Sequence, residues 1–144
     1  MFRYALERLS VGVEPVVPLT MKDIRNTLGP GYEVGWYGWD TLSGRKTNCR
    51  LPPRKIRILE EDYSKIRRLM KDGSSFEDFG KELDWPLHGR LHNYISEECL
   101  TNNNGQDSGV MCCSEVSARD PIFYRWHSFM EDLVQEFRDI NYRK

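Results

Sequence analysis

The chain reads as a mainly α protein, a partial helical bundle behind a long irregular N-terminal connection. Three observations predict this class. Glycine and proline punctuate the first third densely, from Pro15 and Pro18 through Gly29-Pro30-Gly31 and Gly44 to Pro52-Pro53. Beyond residue 60, apolar residues recur at three- and four-residue spacings with charges between them, the period of a helix with one covered face. Finally, Asp120-Pro121 opens an apolar stripe that runs for roughly five turns.

Taken in order, residues 2–9 read as the end of a helix, with Leu6 and Leu9 three apart and Ser10 to Gly12 breaking the pattern. From Val11 to Pro53 the chain reads as an irregular connection with aromatic anchors at Tyr32, Trp36, Tyr37 and Trp39 and a short helix at 20–27. A structureless stretch of that length is unusual in a self-contained small domain; it fits a loop draped over a larger body. Residues 60–71 place Tyr63, Ile66, Leu69 and Met70 on one helical face. Ser74-Ser75 caps a short helix through Leu83 that carries Phe76, Phe79 and Leu83. Asp84 is read as the cap, and Pro86 as the first turn, of a further helix reaching Cys99. Asn102-Asn103-Asn104-Gly105 is a loop. The last helix, 121–139, carries Phe123, Trp126, Phe129, Met130, Leu133, Val134 and Phe137.

The 144 residues fit one domain or a piece of one. The 21 basic and 22 acidic residues leave a net charge of −1, which provides no electrostatic footprint for nucleic acid or an anionic membrane. No apolar run approaches the roughly 20 residues of a membrane span. Charges in Met1-Phe2-Arg3-Tyr4-Ala5-Leu6-Glu7-Arg8 stand where a classical signal peptide needs an apolar block. Of the four cysteines, Cys49, Cys99, Cys112 and Cys113, none forms a Cys-x-x-Cys pair. They permit at most two bridges, in any of three pairings, and are read as packing or loop residues.

The chain has three histidines, His88, His92 and His127. His88 and His92 are four apart on one predicted helix, so both rings leave the same face. His127 lies within the stripe of the final helix. Imidazole is the commonest metal ligand, and an i, i+4 pair with a third imidazole from a facing helix makes a three-nitrogen site suited to copper, or to zinc with water in the fourth position. Spacing alone leaves ordinary surface and helix-capping histidines as the competing reading. A zinc protease motif is excluded, because Gly89-Arg90-Leu91 lacks the glutamate it requires.

The context of these histidines carries a resemblance. Asp120-Pro121-Ile122-Phe123-Tyr124-Arg125-Trp126-His127, with Phe129, Asp132 and Gln135-Glu136-Phe137, resembles the second copper-site signature of arthropod hemocyanins and prophenoloxidases. Gly109-Val110-Met111 and Ala118-Arg119 fit the same pattern, and Leu87-His88-x-x-x-His92 resembles its paired ligands. A rival alignment sets Leu91-His92-Asn93 on that pair and puts Ser96 in place of the second ligand. Arg3-Tyr4, Glu7-Arg8-Leu9-Ser10, Val13 to Leu19, Gly31-Tyr32 and Pro52-Pro53-Arg54 are similar to the stretch that follows the first copper site. The chain departs from the family after Gly31, at Asn93-Tyr94-Ile95-Ser96, at Cys112-Cys113 and at Glu131.

The resemblance implies half of a four-helix dicopper core: residues 1–144 as part of the family's middle domain, with 1–59 connecting and 60–144 forming one copper half-site. In the family, two copper ions, each on three histidines, bind dioxygen between them, and some members go on to oxidise phenols. Three histidines here imply one copper ion at most, on His88, His92 and His127, and no dioxygen or phenol chemistry unless a complete site is assembled. The chain alone is then not expected to be an enzyme. An oligomer and an extracellular setting in hemolymph also follow from the resemblance. A metal-free, hexamerin-like storage relative is the alternative, and a zinc hydrolase a distant third. With two core helices missing, the stripe of the final helix should leave an exposed apolar patch above roughly 600 Å².

Overall fold

Proline begins the first long helix instead of ending the connection before it. In the computed structural model, which describes residues 16–28, 49–99, 110–112, 117 and 121–142, helix α2 spans Pro53–Asp72 with proline in its first turn. A first-turn proline forfeits nothing, since that N–H has no partner inside the helix, and its fixed φ suits helical geometry. The helix expected from residue 60 therefore starts at 53, and its first turns bury Leu59 and the stem of Lys55. The Lys55 ammonium meets Glu97 and Glu98, each at 2.7 Å, and so ties the start of α2 to the end of the helix Arg90–Glu98. Gly73, at φ 72°, takes the left-handed cap that ends α2.

Ahead of it, α1 is a short turn of helix at Met21–Arg25, begun where the Thr20 N–H donates to the Asp23 carboxylate at 3.0 Å. After Gly73, Ser75 caps α3, Phe76–Glu82, by accepting from the Asp78 N–H at 3.1 Å. The expected break at Asp84 is absent. A π-helical turn, Leu83–Gly89, joins α3 directly to α4, Arg90–Glu98. Pro86 explains the form: it has no N–H to give, and in an α-helix its ring would strike the carbonyl one turn back. Widening the turn relieves that clash without ending the helix. A 3-10 turn, Val110–Cys112, and the long α5, Pro121–Asn141, complete the order. Among the described residues there is no strand, and no helix is long and apolar enough to cross a membrane. The expected helix end at 2–9, the aromatic anchors at 32–39 and the loop at 102–105 lie outside the described residues.

The bare stripe expected on α5 is not found. Trp126 and Phe137 are fully buried, and Phe129, Met130 and Leu133 are buried with them. Phe79 of α3 stacks on Phe137 with centroids 4.4 Å apart, and Tyr63 of α2 lies 6.0 Å from Phe129. On another side, the segment before α1 straps onto α5: the Leu19 N–H donates to the Arg125 carbonyl at 3.0 Å, and the Arg125 guanidinium donates to the Val17 carbonyl at 2.9 Å. Leu19 and Ile24 are thereby buried in the same core as Leu59, Ile66, Leu87 and Leu91. The connection itself thus supplies part of the cover assigned to missing helices.

The cysteines are not bystanders either. Cys49 and Cys99 form a disulfide with Cα atoms 5.5 Å apart, joining the approach to α2 with the C-terminal cap of α4. Cys112 is disulfide-bonded as well. The Cys49–Cys99 bond closes a segment of 50 residues, which contains α2, α3 and α4. Loop-closure entropy for that length corresponds to about 4 kcal/mol. Replacing both Cys49 and Cys99 by alanine is expected to lower the unfolding free energy by about that amount, measured by denaturant titration of the oxidised protein. A loss below about 1 kcal/mol would show that the segment is held closed without the bond.

Candidate metal centre

Three helical turns deliver the three imidazoles. His88 leaves the π turn, His92 the first turn of α4, and His127 the second turn of α5. The Trp126 indole N–H donates to the His88 carbonyl at 3.2 Å, pinning α5 to the π turn beside the place where their histidines meet. There the Nε2 atoms of His88 and His127 are 3.1 Å apart, those of His92 and His88 3.0 Å, and those of His92 and His127 3.2 Å. The pair that meets His127 is thus 88 and 92. Ser96, the rival position, is buried one turn further along α4.

Each ring is oriented differently. The His92 Nδ1–H donates to the Met111 carbonyl at 2.8 Å. A carbonyl only accepts, so the proton sits on Nδ1 and the His92 Nε2 presents a lone pair. His88 Nδ1 lies 3.7 Å from the Asp84 carboxylate, which is largely exposed and biases that ring only weakly. Phe123 stacks on the His127 ring at 3.9 Å with 22° between planes. Two of these partners lie within reach of sequence reasoning: Asp84–His88 and Phe123–His127 both stand four apart on a helix, hence on one face. Reading Asp84 as a helix cap and Phe123 as part of the stripe misses them. The Met111 carbonyl carries no side-chain signal at all.

Burial and crowding keep the imidazoles neutral. His127 is pushed down to about 3, by burial first and then by His88 and His92. His92 is pushed down to about 4 by burial and by His88, against the opposing Met111 carbonyl. His88 is lowered by burial, with Asp84 working the other way. Three neutral imidazoles whose Nε2 atoms meet within 3.2 Å offer nitrogen donors to a single cation. Nitrogen donors about 2.0–2.1 Å from one ion at tetrahedral angles lie roughly 3.3 Å apart, so the observed spacing fits a single first-row metal. The set contains no carboxylate or thiolate, a chemistry that favours copper or zinc over calcium or magnesium.

A cavity of about 200 Å³ opens on His88 and His127 between Leu83, Met130 and Val134, with Asp84 in its wall. A larger groove of about 760 Å³ runs along α2 and contains no histidine. Two ion pairs line it, Arg90 with Asp62 at 2.8 Å and Lys65 with Glu82 at 3.1 Å.

Likeness to known proteins points to the same chemistry. The profile of the common central domain of tyrosinase matches residues 14–140. A hemocyanin chain of Aphonopelma sp. is 34% identical over a region covering 94% of this chain and 26% of its own length. A hemocyanin of Scutigera coleoptrata is 51% identical over 46% of this chain and 11% of its own length. Phenoloxidase 1 of Holotrichia diomphalia is 34% identical over 46% of this chain and 10% of its own length. The chain thus spans about a quarter or less of these relatives. No solved structure matches it significantly.

The imidazole shifts set the sign of a pH effect. In the unfolded chain the histidines bind protons near their ordinary pKa of 6.5, whereas in the folded chain His92 and His127 do so only near about 4 and about 3. Between those limits the unfolded state holds more protons, so stability is fully present above about pH 6.5 and is lost as pH falls toward 4. The thermal midpoint of the metal-free protein is expected to drop over this interval, and His127→Gln to flatten the drop. A wild-type midpoint that stays level would show that the imidazoles are not held neutral by burial.

Proposed function

Since the chain belongs to the type 3 copper family, which joins the tyrosinase central domain to arthropod hemocyanins and phenoloxidases, we propose that His88, His92 and His127 hold one copper ion as the family's second half-site. The observation that carries this reading is the convergence of the three Nε2 atoms to within 3.2 Å. His92 and His88 supply donors from a single continuous helix, and His127 closes the triangle from α5. Met111 holds the proton of His92 away from the ion, leaving Nε2 free to coordinate.

Bound copper would supply a one-electron redox couple and a coordination position open to a ligand. Leu83, Met130 and Val134 give the cavity on the His127 side an apolar lining. Two-electron reduction of dioxygen in the family's manner needs two such ions and six imidazoles, and this chain holds three histidines. The chain is therefore read as part of a middle domain that neither binds dioxygen nor oxidises phenols alone, and whose oxygen or phenol chemistry, and any oligomer, require a complementary half-site. The Cys49–Cys99 disulfide supports an extracellular setting, since such bonds persist mainly in oxidising compartments. That setting agrees with hemolymph.

Metal analysis of the purified protein tests the reading. One copper per chain is expected in the wild type and background copper in His127→Gln. The copper-loaded chain should oxidise a catechol no faster than free copper does. Two ions per chain, or turnover above the free ion, would sink the half-site reading; a metal-free wild type after copper loading would favour the storage-like alternative.

A further inference from the structure

We propose that Phe123 is a positioning residue of the metal centre, setting the plane in which His127 presents its Nε2 and bracing His92 at the same time. The inference rests on the reading above that the three histidines hold a metal. An imidazole turns about its Cβ–Cγ bond in a broad, shallow well, and such a turn swings Nε2 out of the triangle. His92 is stopped by a hydrogen bond to a backbone carbonyl, and His88 is biased by Asp84. Against the ring face of His127 lies Phe123, centroids 3.9 Å apart and planes 22° from parallel. The other two imidazoles meet His127 edge-on, at 87° and 86°, and so limit its tilt much less.

Phe123 also sets its ring at 75° to that of His92, with centroids 5.9 Å apart. One half-buried side chain thus touches two of the three donors. The stack needs no distant partner: residues 123 and 127 are four apart on α5, so the helix that delivers the ligand also delivers its brace. Tyr124 packs edge-on against Phe123 at 5.0 Å and holds it in turn. A flat aromatic face is what the contact requires. Leucine would fill much of the volume without offering a plane, whereas tyrosine would preserve it.

The test compares Phe123→Leu with Phe123→Tyr in the full chain, using Co(II) as the probe. Phe123→Leu is expected to lose at least about tenfold in Co(II) affinity, the usual effect of removing a group that orients a metal-bound histidine, and to alter the visible d–d spectrum. Its metal-free melting temperature should stay within a few degrees of the wild type. Phe123→Tyr should keep the wild-type spectrum and nearly all the affinity. Equal loss in both variants, or wild-type affinity and spectrum in Phe123→Leu, would overturn the proposal. A wild type that takes up no Co(II) would instead remove the metal reading. NMR of the metal-free protein then decides the positioning role separately: His127 ring protons shifted upfield by Phe123 in the wild type and not in Phe123→Leu support it, and unshifted wild-type protons refute it.

Discussion

Three neutral imidazole nitrogens stay within 3.2 Å of one another only where the surrounding backbone is stiff, because each ring turns easily about its Cβ–Cγ bond and such a turn carries Nε2 away from the other two. Much of the described structure supplies that stiffness. A helix kept continuous through a proline fixes the distance between His88 and His92. The Trp126 indole, buried completely, fixes His127 relative to both by bonding to the His88 carbonyl. The 3-10 turn at Val110–Cys112 holds the Met111 carbonyl against the His92 ring.

The π turn links local chemistry to the site most directly. An ordinary helix interrupted at Pro86 would have begun afresh at Asp84, with no fixed phase between Phe79 and His92. By widening instead, the chain keeps Phe79, Leu83, Leu87, Leu91 and Ile95 on the buried side of one rod, with His88 and His92 leaving beside them. Gly89 follows from the same geometry. A Cβ there would fall 2.2 Å from the Trp85 ring, so the absence of a side chain lets that indole lie against the turn. This is consistent with π turns marking functional positions in helices.

The segment before α1 and the Cys49–Cys99 disulfide give the helices that carry the three histidines a core of their own. Val17 and Leu19 bind along α5, Leu28 N–H donates to the Cys49 carbonyl at 3.0 Å, and Cys49 is bonded to the end of α4. The irregular connection is therefore part of the packing that hides Trp126 and Phe137. Among the described residues, the cavity on the His127 side stays open, and Trp85 and Ile140 are among the exposed apolar side chains.

Much of this is legible in the residues. Helical period places α2, α3 and α5, the Asp120-Pro121 signature places His127, and four-residue spacing places His88 and His92 on one face, because each of these depends on neighbours within a turn or two. Boundaries are less legible. Pro53 reads as the end of a connection and Pro86 as the start of a new helix, since a proline's effect depends on whether it falls in the first turn or inside a turn able to widen. Contacts between distant residues lie beyond the sequence. Nothing in the spacing pairs Cys49 with Cys99, aims a backbone carbonyl at His92, or shows that Leu19 covers α5. Those are decided when helices cross at particular angles, where side chains far apart in the chain compete for the same space. The identity of the candidate ligands is thus a local property, while their convergence within 3.2 Å is a property of the packed helices alone.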